Sequence, residues 1–257
     1  MKDPWGVPRA IHLDHPSIRK PTILKPHSDS SPWIPLLGWS SLAGCAIVGA
    51  WVFGFVPPDA IMGFSQKILY LHLPSVLSAY LAFFVVFYCS IGYLWKRTEV
   101  FDLVARASAE VGVLFSGLVL VTGAIWGRPT WGTYWVWDAR LTTSLILFLI
   151  YLGYVLLRAF AGPGEQQARL AAVLGIIGFL DIPLIHVSVQ WWRTLHQPST
   201  MFKVGESGAP EPSMPTEFLL PLMLALVVGV LVYAFFLTYR LRVAVGEEAL
   251  ARRLAER

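Results

Sequence analysis

Apolar residues fall along the chain in six long blocks, at about 33–56, 74–95, 108–126, 141–157, 170–187 and 217–239. Each block approaches or exceeds the roughly 20 residues with which a helix crosses a hydrocarbon core. The pattern predicts an all-α, polytopic membrane protein with six transmembrane helices. Pro57 and Pro58 end the first span, and Lys96 and Arg97 stop the second. Pro74 suits the first turn of a helix, so the second span is set to begin there. Asp181 and Pro183 interrupt the fifth. Between spans, 59–73 reads as a short connection whose residues 66–72 are part-helical at the interface. Residues 98–107 read as a charged loop and 158–169 as a polar one. The long connection 188–215 is rich in Gly, Pro and Ser in its second half and is expected to be mobile. The chain thus divides into a flexible polar tail (1–32), a six-span membrane domain (33–239) and a C-terminal tail (240–257) with a solvated, charged helix.

Composition agrees, with 56% hydrophobic and only 14% charged residues among 257. The net charge of +4 is no sign of nucleic acid, because no basic patch interleaves with aromatics outside the loops. Its placement says more. Of the 20 Lys and Arg residues, 15 fall in 1–32, 96–110, 158–169 and 240–257, and 5 in the other connections. The richer side faces the cytoplasm. Both termini are then cytoplasmic, and 57–73, 127–140 and 188–215 are periplasmic. Residues 1–32 show no apolar segment with a cleavage site, so no signal peptide is expected. Their His12, His15 and His27 read as solvated. Cys45 and Cys89 both lie in spans, with no Cys-x-x-Cys and no Cys-x-x-Cys-His, so neither a dithiol redox motif nor covalent haem attachment is expected.

The chemistry concentrates in 126–140. Trp131, Tyr134, Trp135 and Trp137 fall within seven residues, after Trp126 and before Asp138 and Arg140. If 131–138 is helical, Trp131, Trp135 and Asp138 stand at i, i+4 and i+7 on one face. An aromatic belt at the interface explains one or two tryptophans but not this density, which suits a platform for a large flat ligand. Orientation brings two histidines to the same side, His72 before the second span and His186 near the end of the fifth. Neutral imidazole binds iron well, and two imidazoles on different helices suit the two faces of a haem. Such ligation leaves no open position, which fits holding haem rather than activating oxygen. Lys67, Arg128, Arg140 and Arg193 are candidate partners for the propionates, each with snorkelling to the lipid surface as its alternative. Asp138 either orients an indole N–H or a nearby arginine, or caps the fourth span. Asp181 either accepts a hydrogen bond or is protonated, with no catalytic role. His196 reads as structural, with a third ligand or a partner contact as alternatives.

Residues 131–142, reading Trp-Gly-x-x-Trp-x-Trp-Asp and then Ala-Arg-Leu-Thr, resemble the signature of the tryptophan-rich haem-handling proteins of cytochrome c assembly. Leu69 to Pro74 resembles the first flanking-histidine motif of that superfamily, and Pro183 to Gln197 the second. Six spans and short loops are similar to the haem exporter protein C family within it, over about 36–240. The resemblance implies a haem-handling protein of the bacterial inner membrane, not an enzyme, with b-type haem bound non-covalently and transiently on the periplasmic face. It implies His72 and His186 as axial ligands and Trp126 to Asp138 as the platform. It also implies partners: a membrane-anchored periplasmic haem chaperone, ATP-binding-cassette transporter subunits and a small single-span accessory subunit. The acid at Asp181 departs from the amide expected there. Two other classes compete. A haem-b electron-transfer subunit of a quinone oxidoreductase would stack its histidines at mid-membrane, and here both lie at the outer edge. An aromatic-gated solute transporter would show internal repeats, and none is visible.

Overall fold

The computed structural model describes residues 32–162, 164–192, 194–196, 202–204, 210–212 and 214–255. Six helices dominate: α1 (Trp33–Gly54), α2 (Leu69–Lys96), α3 (Glu99–Trp131), α4 (Ala139–Phe160), α5 (Glu165–Trp191) and α6 (Thr216–Ala255). All six are long and apolar enough to cross a membrane. A 3₁₀ turn, Phe64–Ile68, leads into α2. Between α5 and α6, β1 (Phe202–Val204) and β2 (Pro210–Pro212) pair antiparallel, Lys203 opposite Glu211, within the connection expected to be mobile.

Helix α2 is the centre of the bundle and packs against α3, α5 and α6, while α4 covers α5 and α3, and α1 packs chiefly on α6. The sequence of α2 explains this place. Ser75, Ser78, Ala79, Ala82 and Ser90 are small and buried, so neighbouring helices approach closely. Some of the hydroxyls that come inside find partners across helices. Ser78 Oγ donates to Gly229 O (3.1 Å), Ser108 Oγ to Ala82 O (2.9 Å) and Tyr151 Oη to Gly175 O (2.9 Å). Phe83 stacks flat on Tyr151, with ring centroids 3.7 Å apart, at the middle of the core.

Several span limits differ from the sequence expectation, each for a visible reason. Helix α2 starts at Leu69, so Pro74 lies inside it and His72 is helical. The supposed charged loop 98–107 is the first part of α3. Its charges are paired: Arg158 clasps Asp102 with both guanidinium nitrogens (2.8 and 2.6 Å), and Arg97 meets Glu165 (2.7 Å). Helix α5 is unbroken through Asp181 and Pro183. Helix α6 runs on without a break at 239, and Arg240 pairs with Glu110 of α3. The Trp131–Asp138 stretch is not one helix. Gly132 takes a left-handed φ of 79° and ends α3, and the chain stays non-helical until Asp138 starts α4. The i, i+4, i+7 platform therefore does not form.

Because successive spans alternate in direction, the ends divide. One end carries the ion pairs of α3, α4, α5 and α6. The other gathers the C-terminal ends of α1, α3 and α5 with the starts of α2, α4 and α6. The Arg158–Asp102 pair is bidentate and largely buried, and removing one member of such a pair costs about 3–5 kcal/mol. Asp102→Ala is expected to lower thermal stability in detergent by that order. Glu165→Ala, at the exposed Arg97 pair, should change it by about 1 kcal/mol or less. Equal effects in the two variants would contradict this account of the charged end.

Candidate ligand-binding site

A cavity of about 540 Å³ opens at the aromatic end, between α2, α3, α4 and α5. Its volume falls within the roughly 300–1,000 Å³ of small-molecule and cofactor sites. His72, Trp126, Trp131, Trp135, Arg140, His186 and His196 all line it, with Tyr80, Gly123 and Ile185 among the others.

The two helical histidines are set in the same way. His72 is buried, and its Nδ1 lies 2.9 Å from Thr122 Oγ1. The Thr122 hydroxyl donates its own proton to Leu118 O (2.7 Å), so it accepts from His72. Nδ1 of His72 therefore carries the hydrogen and Nε2 keeps its lone pair. His186 Nδ1 lies 3.0 Å from Ile182 O, one turn back on α5. A carbonyl can only accept, so this Nδ1 also carries the hydrogen and Nε2 is again the lone-pair atom. A partner on one ring nitrogen that fixes the tautomer and orients the other is the usual support of a metal-binding histidine. His72 also meets Trp126 edge-on (5.8 Å) and His186 meets Tyr80 (5.4 Å). Gly123 faces His72 so closely that a Cβ there would stand 3.2 Å from its Cε1. Glycine leaves the ring its room.

The aromatic wall comes from the end of α3 and the link to α4. Trp126 and Trp131 project from the last turns of α3. Thr133 shapes the link, donating to Trp135 O (3.1 Å) and accepting from its N–H (3.4 Å). The Nε1 atoms of Trp126 and Trp135 are buried and have no hydrogen-bond partner among the described residues. Arg140, which makes no salt bridge among the described residues, lines the cavity with both tryptophans and suits the acidic groups of a ligand. The set offers two imidazole lone pairs, a π-rich wall and donors for carboxylates.

The profile of the haem exporter protein C family matches residues 19–256. This chain belongs to that family. A haem exporter protein C of Bradyrhizobium diazoefficiens is 39% identical over 223 residues, 87% of this chain and 80% of the relative. One from Escherichia coli K12 is 40% identical over 171 residues, 65% and 69% of the two chains. One from Haemophilus influenzae is 35% identical over 214 residues, 83% and 85%.

Of the residues singled out in the sequence, the cavity of this family member collects His72, His186, Trp126, Trp131, Trp135 and Arg140. Others lie elsewhere. Lys67 is buried and donates to Val52 O (2.8 Å) at the end of α1, between the Phe53 and Phe64 rings. Arg128 bonds Gly132 O and covers the Tyr134 ring. Trp137 is exposed and packs edge-on against Trp135. Asp138 is the N-cap of α4, accepting from Leu141 N–H (2.8 Å), and its other oxygen accepts from Leu195 N–H (3.3 Å). Asp181 Oδ2 is buried without a partner among the described residues, and Asp181 is not one of the cavity-lining residues. Arg193 and the tail histidines lie outside the described residues. The sequence missed Tyr80 and Thr122. A Thr at one helical register from a ligand candidate gives no signal of its own. His196, read as structural, is in the cavity wall.

The tautomers can be checked directly. Nitrogen-15 NMR of histidine-labelled protein should show His72 and His186 protonated at Nδ1 with Nε2 bare. Thr122→Val removes the acceptor at His72 and should disturb the His72 signals alone. An Nε2–H tautomer at either position in the wild type would refute the assignment.

Proposed function

We propose that this protein binds haem in the cavity and presents it, on the periplasmic side of the bacterial inner membrane, to a membrane-anchored haem chaperone during c-type cytochrome biogenesis. Membership of the haem exporter protein C family gives it a part in haem export for that pathway. The observation that carries the finer proposal is the pair of imidazoles from different helices, each with Nδ1–H anchored and Nε2 free, on one cavity. Haem here is cargo: b-type, non-covalent and transient. His72 and His186 are its axial ligands, Trp126, Trp131 and Trp135 line its faces and edges, and Arg140 meets the propionates. Lys67 and Arg128 are engaged elsewhere, and among the described candidates Arg140 is the one that lines the cavity.

The protein is a carrier rather than an enzyme on this account. A metal with both axial positions filled cannot activate oxygen. Exposed Tyr134, Trp137, Trp191 and Trp192 at the same end offer an aromatic surface for the chaperone. ATP-binding-cassette transporter subunits and a small single-span subunit are the other partners, and the outward apolar faces of the helices meet lipid or those partners.

Ligation is tested by spectra of the purified protein from haem-replete cells. Wild-type protein should show six-coordinate, low-spin haem. His72→Gly or His186→Gly should give high-spin haem or none, and free imidazole should restore the low-spin spectrum. Imidazole must be neutral to bind iron, so acidification should expel haem. Thr122→Val should weaken binding by about 10–100-fold, the usual effect of losing a ligand's supporting hydrogen bond. A low-spin spectrum persisting in both glycine variants would mean other ligands.

Sidedness has its own test. In a background free of Cys45 and Cys89, Tyr134→Cys should react with an impermeant reagent in intact spheroplasts, and Val100→Cys and Leu250→Cys should not. The reverse pattern would remove the periplasmic site.

A further inference from the structure

We propose that Gly123 and Gly127, one turn apart on α3, are positioning residues for the cargo: Gly123 seats the His72 ring that meets the metal, and Gly127 seats the Trp131 ring that meets the flat porphyrin. All four residues line the cavity. A Cβ on Gly123 would stand 3.2 Å from Cε1 of His72, the ring carbon between the two nitrogens. A Cβ on Gly127 would stand 3.1 Å from Cε3 and 3.3 Å from Cζ3 of Trp131, and 3.3 Å from Thr133 O. Carbon atoms in comfortable contact are about 3.5–4.0 Å apart, so at either position a methyl group displaces a ring.

The sequence builds the two seats in different ways. Helices α2 and α3 are antiparallel neighbours, and a ring rests on a glycine twice along their seam. In the core, Phe83 lies on Gly112, where a Cβ would collide with Cε1 and Cδ1 of the ring. His72 and Phe83 on α2 are separated by the same interval as Gly112 and Gly123 on α3, so both contacts belong to one register. Thr122, beside Gly123, holds Nδ1 of His72 at 2.9 Å. Thr122 fixes which nitrogen is bare, and Gly123 fixes how close the ring comes to α3. The second seat is local to α3. Long side chains on a helix lean back over the preceding turn, which carries Trp131 onto Gly127. Gly132, at a φ of 79°, then reverses the chain and brings Thr133 O against the same glycine.

The consequence rests on the proposed function, through His72 as an iron ligand. A methyl group at Gly123 moves the imidazole and weakens its bond to iron. A methyl group at Gly127 moves the indole and weakens contact with the porphyrin plane. Two probes separate these effects. Haem offers a metal and a plane, and metal-free protoporphyrin IX offers the plane alone. Full-length protein in nanodiscs is titrated with each, followed by absorption and tryptophan fluorescence.

Gly123→Ala should bind haem roughly tenfold to a hundredfold more weakly, the range for a methyl forced into a packed site, and protoporphyrin IX within about twofold of wild type. Its His72 nitrogen-15 signals should shift. Gly127→Ala should lose about threefold to tenfold for both probes, the worth of an aromatic contact, with the wild-type iron spectrum and His72 signals. In a Trp131→Ala background, Gly127→Ala should add little, since the ring that the methyl meets is gone. Gly117→Ala, on the same helix, meets only Phe148 at 3.4 Å and should change neither affinity. Equal loss of both probes in Gly123→Ala overturns its role at the metal. Wild-type affinities in Gly127→Ala overturn the second seat. A direct check needs no variant: wild-type protein should show NMR cross-peaks from His72 Hε1 to the Gly123 Hα protons and from Trp131 Hε3 to those of Gly127, and their absence overturns the seats. If the wild type binds haem no better than protoporphyrin IX, the proposed ligation fails, and the cross-peaks still decide the seats.

Discussion

Hydrocarbon offers a buried polar group nothing to bond to, and this bundle is arranged around that constraint. Some interior hydroxyls reach a carbonyl of another helix, as Ser78 does with Gly229 and Tyr151 with Gly175, and others, such as Ser75 and Ser188, bond a carbonyl of their own helix. Small residues allow such approach, Ser and Ala on α2 and Gly175 and Gly229 on its neighbours. The same constraint picks out the cavity. Histidines and tryptophans from different elements line one space, with Arg140 among them. Ser90 Oγ and Asp181 Oδ2 lack partners among the described residues, and neither residue lines this cavity. Convergence is what separates a binding site from isolated imperfections in packing.

The two ends of the bundle are built from different forces. At one end, Asp102, Glu110 and Glu165 meet Arg158, Arg240 and Arg97 from other helices. These pairs hold α3, α4, α5 and α6 together where their apolar faces give out. At the other end the contacts are aromatic and geometric, and charge is sparse. That division leaves room for a cavity at one end, because the register of the spans is already set at the other.

Much of this was legible in the chain, and the failures have physical causes. Six spans follow from six apolar runs. Their ends were misjudged where charges stand, because a charge in sequence looks solvated until its partner on another helix is known. Asp102 is the case in point, 56 positions from Arg158. The tryptophan segment was singled out, and Trp131 and Trp135 do line the cavity, but its backbone was not foreseen. Periodicity suggested a helix, yet Gly132 is a helix-ending residue and Asp138 a helix-starting one. Those local signals outweigh three residues at helical spacing. His72 and His186 could be placed together from topology alone. Lys67 and Arg128 could not be excluded, since a sequence displays a charge and hides its direction. His196 and Thr122 depend on how a loop folds back and which proton a ring carries, and tertiary contacts decide both.

A carrier must hold its cargo and then let go, and the origin of each contact bears on how that is done. The imidazoles come from α2 and α5, inside the bundle, where helix packing resists displacement. The remaining wall includes connections, with Trp135 in the link between α3 and α4. Segments with few buried apolar contacts open at lower free energy than packed helices. On the proposed function, the edges of the cargo can be freed one at a time while the iron stays ligated. A partner that docks on the exposed tryptophans touches those same connections first. The bonds that fix the metal would then be the last to break, so haem need never be free in the periplasm. A site made wholly of spans could release cargo only by disturbing the bundle, and a site made wholly of loops could not fix two imidazoles. The division between helix-borne ligands and loop-borne walls answers both requirements with one fold.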